Sequence, residues 1–108
     1  MQFDMQITTG AESDLAEIVA FLAEREGPAV AERILEGILD AANNLSKFPE
    51  RGSHPNELLK LGIREFRQGM FQPYRLIYRI VGNRVFLLLV ADGRRNFQSL
   101  LERRVLRG

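Results

Sequence analysis

The chain of 108 residues contains no cysteine and no tryptophan, a single histidine, two tyrosines and four prolines. Without cysteine there is no disulfide framework, no thiolate nucleophile and no cysteine-based metal site. One histidine leaves a histidine-rich metal centre without ligands, so neither a metal nor a cofactor is expected. No apolar run approaches the roughly 18 residues that a membrane span needs. The first residues, MQFDMQITTG, lack the positive charge and apolar segment of a secretory signal. No glycine-rich phosphate loop follows a strand, and no Ser-His-Asp spacing is present. The expectation is a cytoplasmic protein with no membrane partner and no nucleophilic triad.

What remains is an ordinary globular composition, 45% hydrophobic and 27% charged, of a length that fits one domain over residues 1–108. The net charge is only +1, but it is unevenly spread. Residues 1–50 hold ten acids and three bases, a net of −7, and residues 51–108 hold four acids and twelve bases, a net of +8. Such asymmetry suggests a basic surface for a polyanion or an acidic protein partner.

The pattern along the chain is that of an α+β domain in the order β-α-α-β-β-β-α. Residues 2–8 alternate Phe3, Met5 and Ile7 against polar residues, as a strand with one buried face does. Thr9 to Glu12 has the spacing of a capping box, so the spacing predicts a helix from there. Its apolar stripe is Ala11, Leu15, Ile18, Val19 and Leu22. Gly27-Pro28 ends this helix and opens a second, from about Ala29 to Ser46, with the stripe Val30 or Ala31, Ile34, Leu35, Ile38, Leu39, Ala42 and Leu45. So short a break predicts an antiparallel helical hairpin on a small, mainly antiparallel sheet. Residues 48–62 read as a loop with one helical turn over Asn56 to Leu59, and His54 within it reads as exposed. A strand is predicted over Ile63 to Gln68, ended by Gly69.

Pro73 to Arg95, PYRLIYRIVGNRVFLLLVADGRR, reads as a hairpin. Its first strand alternates, its turn is Gly82-Asn83, and its second strand, Val85 to Ala91, is apolar on both faces as a covered central strand would be. Tyr74 and Tyr78 share the phase of Leu76 and Ile80 and so point to the core, opposite Arg75 and Arg79. A buried Arg75 would need a partner, and Asp92 on the neighbouring strand is the candidate. Phe97, Leu100, Leu101 and Val105 mark a short C-terminal helix with Arg103, Arg104 and Arg107 in its last turns. Arginine forks pair with phosphate or carboxylate, so Arg75, Arg79, Arg94, Arg95, Arg103 and Arg104 are the candidate target-binding residues.

The motifs Ala11-x-x-Asp14-Leu15-x-x-Ile18, Phe48 to Gly52 (FPERG), Pro73 to Tyr78 (PYRLIY) and Asp92 to Arg95 followed by Leu100, Leu101 and Arg104 occur in this order. Together the series resembles the ParE/RelE superfamily, the toxins of type II toxin–antitoxin pairs. The resemblance implies one of two activities. RelE-like toxins cut messenger RNA in the ribosomal A site with basic residues and a C-terminal Tyr or His, whereas ParE-like toxins inhibit DNA gyrase and block replication. Arg75 and Arg95 match arginines of the RelE-like enzymes, but the position of their tyrosine falls near Leu101. No Tyr follows Tyr78, no His follows His54, and arginine is a poor general base. The resemblance therefore implies a ParE-like binder with no catalytic residue. The alternatives are a ribosome-dependent nuclease or a non-toxic homologue that keeps only antitoxin binding. It also implies a ParD-like antitoxin, DNA gyrase as a partner, and a homodimer or a toxin–antitoxin heterotetramer. The antitoxin would dock along the helical hairpin and a nearby sheet edge, over Leu15, Val19, Phe21, Leu22, Val30 and Ile34.

Overall fold

In a computed structural model, which describes residues 3–106, the chain folds as an α+β domain in the element order its pattern predicts, with helices on both faces of the sheet rather than on one. The expected strand start at Gln2 and the helical Arg107 lie outside the described residues. Strand β1 (Asp4–Ile7) is followed by helices α1 (Thr9–Glu26) and α2 (Pro28–Lys47), then a single 3-10 turn (Pro49–Arg51) and the short α3 (Asn56–Leu59). Strands β2 (Phe66–Phe71), β3 (Tyr74–Val81) and β4 (Arg84–Asp92) come next, and α4 (Phe97–Leu101) runs into a wider π turn (Glu102–Leu106). The sheet order is β1-β4-β3-β2, with β1 parallel to β4 and the other pairs antiparallel. None of the described helices is long and apolar enough to cross a membrane.

Two cores, one on each face, follow from that order. On the front face α1 and α2 bury Ala11, Leu15, Ile38 and Ala42 against Leu76, Tyr78, Val85, Leu87 and Val90. On the back face α3 and α4 bury Leu58, Phe97 and Leu101 against Phe66, Ile77, Leu89 and Ala91. Strand β4 supplies side chains to both, which accounts for its continuous apolar run. Its alternation is not uniform, however. Leu87 pairs with Tyr78 and Leu89 with Ile77, so Leu88 is an extra residue, a β-bulge. The bulge moves Leu88 and Leu89 to the back face and returns Val90 to the front.

Several local expectations are corrected. The cap of α1 is Thr8, whose hydroxyl accepts from Ala11 N at 3.2 Å, so the Thr9–Glu12 box is one residue out of phase. Leu39, placed in the apolar stripe of α2, is 38% exposed, because the hairpin buries the Ala31–Ile38–Ala42 row instead. Strand β2 begins at Phe66 rather than Ile63 and runs through Gly69. There glycine lets the helix approach: a Cβ at Gly69 would lie 2.8 Å from Leu45 Cδ2. Gly37 plays the matching part on α2, where a Cβ would lie 2.2 Å from Phe71 Cζ. At the β3–β4 turn only Gly82 takes a positive φ, of 62°, and Asn83 does not.

Candidate functional site

Each candidate arginine is placed by its strand or helix phase, and the structure does not gather them into one surface. Arg75 points to the back face from β3, between Met70 and Ala91. Its Nη1 and Nη2 donate to Glu57 Oε2 and Oε1 at 2.8 and 3.0 Å, its Nε donates to Gln68 Oε1 at 3.0 Å, and its guanidinium lies 3.9 Å from the centre of the Phe97 ring. The side chain is only 13% exposed. The expected partner Asp92 is not used: it caps the turn after β4, accepting from Arg94 N and Nε, each at 2.9 Å, and from Arg94 Nη2 at 2.6 Å. The phase of the strands decides this, since Asp92 lies opposite Tyr74 on the front face and Arg75 is on the back.

The charges respond to these pairings. The Arg75 fork holds the Glu57 carboxyl below its ordinary range against the opposing effect of burial. The Arg94 guanidinium beside Asp92 holds that carboxyl down at about 2. Burial pushes both Tyr74 and Tyr78 up, and the Tyr78 hydroxyl donates to the Pro49 carbonyl. Both tyrosines are core residues, as their phase predicts. His54 Nδ1 lies 3.0 Å from the Phe66 carbonyl oxygen and braces the loop rather than standing exposed.

Arg104 is engaged too. Its Nη1 and Nη2 donate to Asp14 Oδ2 and Oδ1 at 3.1 and 2.9 Å. Of the six arginines, Arg79, Arg94, Arg95 and Arg103 are exposed. They fall at different places. Arg79 lies on the back of the sheet, Arg103 lines a cleft with Thr8, Thr9 and Leu88, and Arg94 and Arg95 sit past the far end of β4. The sequence reading passed over Arg84, the first residue of β4, whose register with Val81 and Asp4 puts it beside Arg79. The available signal was its period-2 phase with Phe86, out of step with the core residues Val85 and Leu87.

The six helix positions also divide. Leu15 and Leu22 are buried in the domain, Val19, Val30 and Ile34 are half-buried, and Phe21 is 57% exposed, with Arg25 stacked 5.2 Å from its ring centre. Phe21 borders a slot of about 420 Å³ between α1 and the end of β4. Ile18, Tyr74 and Val90 form its apolar wall, with Glu17 and Arg95 at its rim. The slot exists because β1 stops at Ile7, opposite Leu87, and leaves the rest of the β4 edge without a neighbouring strand.

Comparison with known proteins supplies the family. Residues 5–97 match the model of the ParE toxin of the type II toxin–antitoxin system parDE. The chain belongs to the ParE toxin family. This ParE-family chain is 31% identical over 94 residues to Toxin ParE3 of Caulobacter vibrioides, a match covering 87% of this chain and 90% of that one. Its fold is that of a chain in the chromosomal ParDE system from P. aeruginosa, with a TM-score of 0.72 at 19% identity over 84% of this chain and 96% of the other. A chain of the toxin–antitoxin complex RelBE2 from Mycobacterium tuberculosis superposes with a TM-score of 0.64 at 25% identity, covering 85% of this chain and 99% of that one.

Proposed function

We propose that this ParE-family toxin acts by binding rather than by cutting nucleic acid, that its target is DNA gyrase, and that a ParD-like antitoxin neutralises it. The observation that carries the reading is Arg75. The arginine that would serve a nuclease is held by Glu57 and Gln68 beneath the Phe97 ring. Among the described residues its neighbours include no Tyr or His able to take a proton from an attacking hydroxyl, since both tyrosines are core residues of the front face and His54 is tied to the Phe66 carbonyl. The Glu57 carboxylate beside it has both oxygens taken by the Arg75 fork, which holds its pKa down and makes it a poor base, and a toxin with no free proton acceptor at that arginine would stop its target by occupying it.

The likeness to the RelBE2 chain at 25% identity favours a second reading, ribosome-dependent cleavage of messenger RNA. The two readings separate cleanly. Purified toxin is expected to inhibit supercoiling by gyrase and to leave messenger RNA intact in a translating extract. Cleavage in the extract with normal supercoiling would reverse the assignment, and harmless expression without an antitoxin would favour a homologue that only binds antitoxin.

The slot between α1 and β4 is the proposed antitoxin dock. It offers an exposed phenylalanine and an apolar wall beside a stretch of β4 that no strand covers, which together suit a disordered segment that folds as it binds. Phe21→Glu is expected to weaken capture by the antitoxin while leaving growth arrest in place. Val30 and Ile34, on α2, stand outside the slot, Leu15 holds α1 against the sheet, and Leu22 is buried.

A further inference from the structure

The back of the sheet is covered only in part. Toward Tyr74 and Asp92 it lies under α3 and α4, whereas toward the β3–β4 turn the core described on that face ends. The residues that face outward there follow from the register. Arg79 stands opposite Phe86, and Val81 stands opposite Arg84. Arg79, Val81 and Arg84 are exposed, Val81 by 47%, and Phe86 is half-buried.

Among the described residues, the ion pairs engage Arg75, Arg94 and Arg104, and none engages Arg79 or Arg84. Asp4, though in register with Arg84, accepts from Gln6 Nε2 at 2.7 Å instead. Arg79 is held in place by its own sheet, with its guanidinium 5.9 Å from the centre of the Phe66 ring. The surface thus sets unpaired, partly ordered cations around apolar groups.

We infer that the open half of the back face, Arg79, Val81, Arg84 and Phe86, docks an acidic amphipathic helix of a protein partner. This rests on the reading of the chain as a toxin that acts by binding a protein, and it names the contact surface. Arg79 and Arg84 are diagonal neighbours across two strands, about 7–8 Å apart at the backbone. Carboxylates one helical turn apart, about 5–6 Å between their Cβ atoms, match that spacing within the reach of two flexible arginines. Val81 and Phe86 give the apolar side of such a helix something to cover, which a phosphate backbone would not use. Stacking of bases would need exposed aromatic faces, whereas Phe86 is half-buried and both tyrosines are buried on the opposite side of the sheet.

The test is an NMR titration of the labelled full chain with a short amphipathic peptide of glutamate and leucine, and separately with a single-stranded oligonucleotide. With the peptide, amide shifts are expected at residues 79–86, fading as salt is raised. In R79E/R84E the half-saturation point should rise about tenfold or more, with the milder R79Q/R84Q between it and the parent. Thermal melting of both variants shows whether they are folded, and the glutamine pair keeps the comparison valid if the charge reversal is not tolerated. Shifts centred on the α1–β4 slot, no shifts, unchanged affinity in both variants, or tighter binding of the oligonucleotide would each overturn the inference. Because the peptide titration does not involve gyrase, a failed supercoiling assay rejects the proposed target without deciding this surface.

Discussion

Asp14 and Arg104 are 90 residues apart in the chain, yet their side chains close a two-pronged ion pair that stands where a β-strand is missing. The Val90 amide donates to Asp14 Oδ2 at 3.0 Å, and Arg104 Nη1 donates to the Leu88 carbonyl. Strand β1 serves the same edge of β4 only as far as Leu87, which accepts from both the amide and the hydroxyl of Thr8. Backbone groups freed by the bulge are thereby satisfied by side chains from α1 and from the C-terminal turn. Arg104→Met leaves Asp14 without its counter-charge at a site where its side chain is 13% exposed. A loss of about 2 kcal/mol in urea unfolding is expected, less than for a fully buried pair because Arg104 is 29% exposed. D14N/R104M should recover part of it, since neither charge is then stranded.

The Arg75–Glu57 pair ties α3 to the sheet, and Phe97 ties α4 to the same guanidinium. Glu57→Ala removes both acceptors of the fork and should cost about 2–3 kcal/mol, measured by chemical denaturation. Hydrogen exchange should quicken first over residues 56–62, where the helix is a single turn that cannot persist without its anchor.

Acid should weaken the fold in a defined direction. The folded-state pKa of Glu57 is depressed below its ordinary value of 4.5, and that of Asp92 is held at about 2. Groups depressed in this way contribute stability that is complete above the unfolded-state pKa and is lost as pH falls through the folded-state value. Unfolding free energy should therefore decline from about pH 4.5 downward, and Glu57→Gln should flatten the upper part of that decline.

At the seam between α2 and β2, a methyl group on Gly37 would overlap the Phe71 ring. Gly37→Ala is expected to destabilise by about 1–3 kcal/mol, despite alanine's better helix propensity. Adding Phe71→Leu should restore part of the loss. No rescue in the double variant would show that the contact is not the cause.

Tyr78→Phe tests the loop that follows α2. It deletes the hydroxyl that satisfies the Pro49 carbonyl and should cost about 1–2 kcal/mol. Arg67, which donates to the carbonyls of Glu50 and Gly52 at 3.0 and 2.9 Å, should keep that loop attached.

Much of this was legible in the chain because it depends on short-range patterns. The helical stripes, the Gly27-Pro28 break, the single turn at Asn56 to Leu59 and the alternation around Tyr74 and Tyr78 are set by neighbours within a few residues. The phase of β3 was enough to bury the tyrosines and turn the arginines away from them. Errors arose where one residue changes phase. The Leu88 bulge, the Thr8 cap and the passage of β2 through Gly69 depend on what packs against them, and adjacent residues carry no record of that.

By itself, the sequence determined the element order, the two-faced character of β4 and the membership of a toxin family, since these follow from periodicity and from motifs in series. Tertiary structure decided which arginines are free. Glu57 takes Arg75 and Asp14 takes Arg104 across separations of 18 and 90 residues. Charge pairing over such distances is fixed only when the sheet register and the docking of α3 and the C-terminal turn bring the partners within a few ångströms, where a desolvated ion pair holds and a solvated one is screened.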